Sequence, residues 1–181
     1  MQSPHEIQTP SPWVERWAPL IASGAVVLDL ACGYGRHARF LAARDCSVVA
    51  VDRDEQALAA LADVRGIRPV MADLEGAPWP FGTDGFDAII VTNYLHRPLF
   101  PHLTAALRPD GVLLYETFMV GNERFGKPSN PNFLLRANEL FEALATELRV
   151  VAFEQGCASW PRPAVVQRVC AIRGRGENVT I

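Results

Sequence analysis

The stretch Val27-Leu28-Asp29-Leu30-Ala31-Cys32-Gly33-Tyr34-Gly35-Arg36 reads as a buried strand that runs into a glycine turn and then a helix. The strand begins at Ala25 and is apolar except for Asp29. Short apolar runs rich in β-branched residues suit a strand covered on both faces. Beyond Gly35 the small and apolar residues Ala38, Leu41 and Ala42 recur at helical spacing.

The same alternation continues on either side. Ser47-Val48-Val49-Ala50-Val51-Asp52 reads as a second buried strand, and Asp54 caps an alanine-rich helix that ends near Gly66. Arg68 to Ala72 forms a short strand whose Pro69 suits an early position in the strand or a sheet edge. Phe86 to Thr92 is a strand, Pro98 to Leu107 a proline-interrupted helix, and Gly111 to Glu116 the next strand. Residues 118–135 form a long polar loop, followed by a helix from Arg136 to Leu148. Two final runs, 149–154 and 164–172, form an antiparallel hairpin across a turn with Pro161 and Pro163. Upstream, residues 1–12 are a polar lead-in; Ser11 and Pro12 start a short helix carrying Trp13, Trp17 and Leu20 on one face. That face is either packed on the core or an aromatic lid.

Strand–helix alternation implies a doubly wound, Rossmann-like α/β sheet with helices on both faces. One domain is expected over residues 1–181, with 1–24 as lead-in and short helix. Ligands of such sheets sit at the carboxyl ends of the strands, which gathers Asp29, Gly33, Gly35, Asp52, Asp73, Asn93 and Glu116 around one crevice.

Composition narrows the function classes. Apolar residues make up 49% of the chain and the formal net charge is only −3, so no basic stripe invites nucleic acid. No apolar run is long enough to span a bilayer, and the amino terminus lacks a secretory pattern. A cytoplasmic protein, monomer or homodimer, is expected. Cys32, Cys46, Cys157 and Cys170 are scattered, which argues for buried reduced thiols and against a metal site.

Gly33-Tyr34-Gly35-Arg36-His37-Ala38 also fits the dinucleotide pattern G-x-G-x-x-A. Asp29 decides between ligands. A pyrophosphate at the turn and helix start would face this carboxylate unfavourably. S-adenosylmethionine has no phosphate: Asp29 attracts its ammonium, directly or through water, and backbone N–H groups receive its carboxylate. Gly33 and Gly35 let the backbone approach without a Cβ.

The decapeptide quoted above resembles the first motif of class I S-adenosylmethionine-dependent methyltransferases, with Ala31 in place of its first glycine. The likeness extends from about residue 25 to the final hairpin. It implies a seven-stranded sheet of order 3-2-1-4-5-7-6 whose last strand is antiparallel. It also implies that Asp52 accepts both ribose hydroxyls and that Arg53 packs on the adenine. Asp73 would accept from the adenine amino group beside the Leu74 backbone, and Thr92 and Asn93 would flank the methionine part. Cys32-Gly33-x-Gly35-Arg36 and Asn130-Pro131-Asn132-Phe133-Leu134-Leu135 are similar to tellurite-resistance-type methyltransferases, from which Asn93 to Pro98 departs.

On the acceptor side, His96 is either a general base or a helix-cap or surface histidine. Tyr94 lines the pocket or packs, and Glu116 points into the crevice from the end of the fifth strand. Arg97 holds an anionic substrate or is solvated, and Thr117 lies nearby. The loop with Asn122, Glu123, Arg124, Phe125 and Lys127 closes over substrate, or is a solvated loop anchored by Phe125 and Phe133. A small-molecule acceptor, demethylating the donor to S-adenosylhomocysteine, is the expectation. A nicotinamide-dependent oxidoreductase and a non-catalytic binding protein are the rivals.

Overall fold

In the computed structural model, which describes residues 9–159 and 162–174, seven strands make one sheet of order β3-β2-β1-β4-β5-β7-β6. They are β1 (Val26–Leu30), β2 (Ser47–Asp52), β3 (Ile67–Met71), β4 (Phe86–Thr92), β5 (Leu107–Phe118), β6 (Arg149–Ala158) and β7 (Ala164–Ile172). The first five pair in parallel. β7 lies antiparallel between β5 and β6. The sheet therefore has the expected order, and Pro69 sits on its edge strand. The lead-in over residues 1–8 and Pro161 of the final turn lie outside the described residues.

Alternate residues of each central strand feed two cores. Val27, Ala50 and Ile90 face one core, which α1 (Pro12–Trp17), α2 (Arg36–Ala42) and α3 (Glu55–Ala59) cover through Trp13, Trp17, Leu41 and Leu58. Leu28, Val49 and Ile89 face the other, covered by α4 (Phe100–Ala106) and α5 (Glu139–Leu144) through Leu103, Leu140 and Leu144. Burial on both faces is why these strands read as continuous apolar runs. Trp13 and Trp17 belong to the core, not to a lid.

Several bounds differ from expectation for identifiable reasons. α3 ends at Ala59 because the chain tightens into i→i+3 bonds, Leu61 N to Leu58 O and Ala62 N to Ala59 O. This drops the fully buried Leu61 under the glycine turn. α5 begins only at Glu139, because Asn138 is left-handed and Glu139 turns back to accept from Arg136 N. β5 runs on to Phe118 because β7 pairs with it that far. Cys157 is exposed, unlike the other three cysteines, and accepts from Arg124.

Candidate functional site

The order of the sheet reverses between β1 and β4, and the crevice opens above their carboxyl ends. Ala31, Gly33 and Gly35 all have positive φ, at 52°, 52° and 73°, so the turn coils tightly before α2 begins. A Cβ on Gly33 would meet nothing within 4 Å: this backbone faces open space. A Cβ on Gly35 would strike Leu61 at 2.6 Å, so its hydrogen serves helix packing.

Two aspartates hold the turn from below. Asp29 is 1% exposed, and its Oδ2 accepts from Ala38 N at 2.9 Å. Burial pushes its pKa up to about 7, against the opposing effects of that bond and of Arg36. Asp29 thus lies beneath the crevice and is absent from the walls of both cavities. Asp52, at the tip of β2, accepts from Gly33 N at 2.7 Å through Oδ2, and from Arg53 N and Asp54 N at 2.8 and 3.0 Å through Oδ1. Three of its roughly four lone-pair positions are filled by backbone, which leaves about one for a ligand.

Two cavities meet over the turn, sharing Ala31, Asn93, Tyr94 and Phe118. The first, about 400 Å³, brings together Asp52, Arg53, Asp73, Leu74 and Thr117 with Glu75, Leu95, Pro128 and Phe133. Backbone N–H groups of Glu75 and Gly76 hold the Asp73 carboxyl below its usual range. Burial, with the Glu75 carboxylate nearby, raises the Tyr94 phenol, so it stays protonated. The second cavity, about 300 Å³, is walled by Gly33, Thr92 and Glu116 together with Ser11, Arg36, His37, Arg162 and Arg168.

These last five were missed. His37 is buried, and its Nε2 accepts from Ser11 N at 3.1 Å while Nδ1 lies 3.4 Å from Thr92 Oγ1. Burial, reinforced by Arg36, pushes its pKa down to about 3, so the ring is neutral with its proton on Nδ1. Ser11 Oγ donates to Glu116 Oε1 at 2.8 Å, and Glu116 is ion-paired with Arg168. Arg36 and His37 directly follow the glycine turn, so the first turn of α2 was a legible signal for them. Arg168 faces Glu116 only through the β5–β7 register, and nothing in the sequence ties Ser11 to β5.

The structure does not bring together the remaining expected residues. His96 lines neither cavity; it precedes a 3₁₀ turn, Arg97–Leu99. Arg97 is engaged elsewhere, paired with Glu139 at 2.5 Å and donating to Asn132 O and Leu134 O at 2.8 and 2.9 Å. It pins the 118–135 loop instead of facing the crevice. Arg124 stacks over the Phe125 ring at 4.8 Å, and neither borders a cavity. Phe125 and Phe133 are both exposed, so they do not anchor the loop. That task falls to the buried Asn122, which donates to Pro128 O and accepts from Val165 N, each at 3.1 Å. Among the described residues no cluster of His, Cys, Asp or Glu is arranged to hold a metal ion.

Residues 27–111 match the family model of a methyltransferase domain. No curated protein matches the chain in sequence. Among solved structures, TehB from Haemophilus influenzae superposes with a TM-score of 0.76 at 19% identity, over 92% of this chain and 63% of its own. The chain therefore spans less than two thirds of TehB. A SAM-dependent methyltransferase from Methanosarcina mazei gives 0.72 at 14% identity, over 91% and 98% of the two chains. An S-adenosylmethionine-dependent methyltransferase from Mesorhizobium loti gives 0.67 at 21% identity, over 87% and 97% of the two chains. At these identities the likeness shows a shared fold, the Rossmann-like fold of class I methyltransferases. The domain match and that fold together support S-adenosylmethionine as the cofactor.

Proposed function

We propose that this chain is an S-adenosylmethionine-dependent methyltransferase with a small-molecule acceptor. The observation that carries the reading is the open backbone at Gly33, set between the Asp29 and Asp52 carboxylates and above two joined cavities. S-adenosylmethionine supplies a methyl group on a sulfonium, displaced in line by the acceptor with the electron pair left on sulfur. In our reading the larger cavity takes the nucleoside end. Asp52 accepts from the ribose, Asp73 and the Leu74 backbone meet the adenine edge, and Arg53 covers its face. Ala31, Gly33, Thr92 and Asn93 line the passage to the methionine part, and the buried Asp29 acts on its ammonium from beneath.

The smaller cavity takes the acceptor. Its two candidate bases are already engaged: His37 with Ser11, and Glu116 with Ser11 and Arg168. Neither stands free as a base, which favours an acceptor that attacks without first losing a proton. Alignment and exclusion of water then supply the catalysis. Pro128 and Phe133 of the 118–135 loop wall the larger cavity, so that loop screens the cofactor. The similarity in fold to TehB keeps a tellurite-resistance-type activity among those to assay. Our reading places the enzyme in the cytoplasm, as monomer or homodimer; among the described residues no helix is long and apolar enough to cross a membrane.

Calorimetry with S-adenosylhomocysteine and with NAD tests the proposal. Binding of S-adenosylhomocysteine, followed by turnover of methyl-labelled donor on a metabolite panel, is expected. Binding of NAD alone would refute it.

A further inference from the structure

The two cavities carry opposite charge, and this bears on the acceptor that the reading above leaves unidentified. In the larger, Asp52, Asp73 and Glu75 stand against one cation, Arg53. In the smaller, Arg36, Arg162 and Arg168 stand against one carboxylate, Glu116. The whole chain is net negative, so this gathering of guanidinium groups is local.

The three arginines are not equivalent. Arg36 opens α2 directly after the glycine turn, and burial lowers its pKa while Glu116 and Asp29 oppose that shift. Its place at the start of that helix suits the cofactor's own carboxylate. Arg168 is half-buried across the cavity and shared between Glu116 and Glu154. Arg162 is exposed at the rim, 5.9 Å from the centroid of the Phe118 ring, and no carboxylate among the described residues pairs with it. Between these two arginines the wall is apolar, made by Phe118, Ala164 and Val166.

A guanidinium fork matches a carboxylate in shape as well as charge. The apolar wall beside it suits a hydrocarbon body. We propose that the methyl acceptor is a small organic acid with an apolar part, its carboxylate held by Arg162 and supported by Arg168 on the wall opposite the glycine turn. This rests on the methyltransferase reading and adds the chemical class of its substrate. A carboxylate oxygen left free by the fork attacks the donor methyl: the O–C bond forms as the C–S bond breaks, the electron pair stays on sulfur, and the products are the methyl ester and S-adenosylhomocysteine, with no proton to remove.

The test separates the two levels. The full chain is first titrated with S-adenosylhomocysteine; failure to bind overturns the methyltransferase reading and this proposal with it. The saturated complex is then titrated with benzoate, phenylacetate and isovalerate, and with their amides. At least one acid is expected to bind about ten-fold or more tightly than its amide, and Arg162→Gln to abolish that preference. Affinity for S-adenosylhomocysteine should stay within about two-fold in the variant. Arg162 is exposed, so its loss does not threaten the core. Equal binding of acids and amides, no binding of any acid, or a preference that survives in Arg162→Gln overturns the acid class alone.

Discussion

Binding of S-adenosylhomocysteine at pH 6.5 should expel a proton from Asp29. Burial holds that carboxyl near pH 7 in the free protein. At pH 6.5 such a group is about three-quarters protonated. A ligand ammonium above it favours the carboxylate and returns the pKa toward its ordinary range. Roughly 0.7 proton is then released per ligand, and affinity rises about 30-fold from pH 5.5 to 8. At pH 6.5 the ligand's α-ammonium is fully charged, and His37, with its pKa near 3, is neutral. Calorimetry at pH 6.5 in buffers of differing ionisation enthalpy reads the proton count as a slope. Asp29→Asn should bring that slope close to zero. A flat slope in the wild type, or an unchanged one in the variant, would refute the coupling between Asp29 and the ammonium. The sign for stability follows from the same shift. The folded pKa lies above the ordinary 3.8, so stability is lost as pH rises from about 4 through 7, by about 4 kcal/mol in total. His37 acts in the opposite sense, because its folded pKa lies below the ordinary 6.5: stability falls as pH drops below that value. Ligand-induced stabilisation should accordingly be larger at pH 8 than at pH 6.

Asp52→Ala should weaken S-adenosylhomocysteine binding by about 1.5–3 kcal/mol, the scale of charge-assisted hydrogen bonds; unchanged affinity in a titration would remove Asp52 from the site. His96→Ala should leave kcat within about two-fold, since His96 borders neither cavity. A large fall in kcat with cofactor affinity intact would restore it as the base. Ala31→Gly should stabilise the protein by roughly 0.5–1 kcal/mol, because a left-handed alanine at φ 52° costs more than the added freedom of glycine in the unfolded chain. Urea denaturation measures this, and a loss of stability would show that the turn holds Ala31 without strain.

The cofactor half of the crevice was largely legible before folding was considered. Asp52, Asp73, Leu74 and Asn93 each end or follow a strand, and a parallel sheet brings such positions to one edge. Asp29 was also legible as a charge inside an apolar strand, but its depth was not. Its contact with Ala38 N depends on how closely α2 packs onto β1. The acceptor half was poorly legible. His96 and Arg97 follow the fourth strand closely in sequence, yet the cavity walls run only as far as Leu95, and His96 opens a 3₁₀ turn beyond them. Arg97 goes instead to Glu139, 42 residues away.

Local pattern alone determined the strands, the glycine turn and the sheet class, because burial on two faces and the left-handed turn act over a few neighbouring residues. Long-range packing decided the lining of the second cavity. Ser11, His37, Glu116 and Arg168 come from four separate elements and meet only because α1 packs on β5, where Ser11 at its start reaches both His37 and Glu116, and β7 pairs with β5. Hydrogen bonds and ion pairs between residues so distant in the chain leave no periodicity or spacing to read.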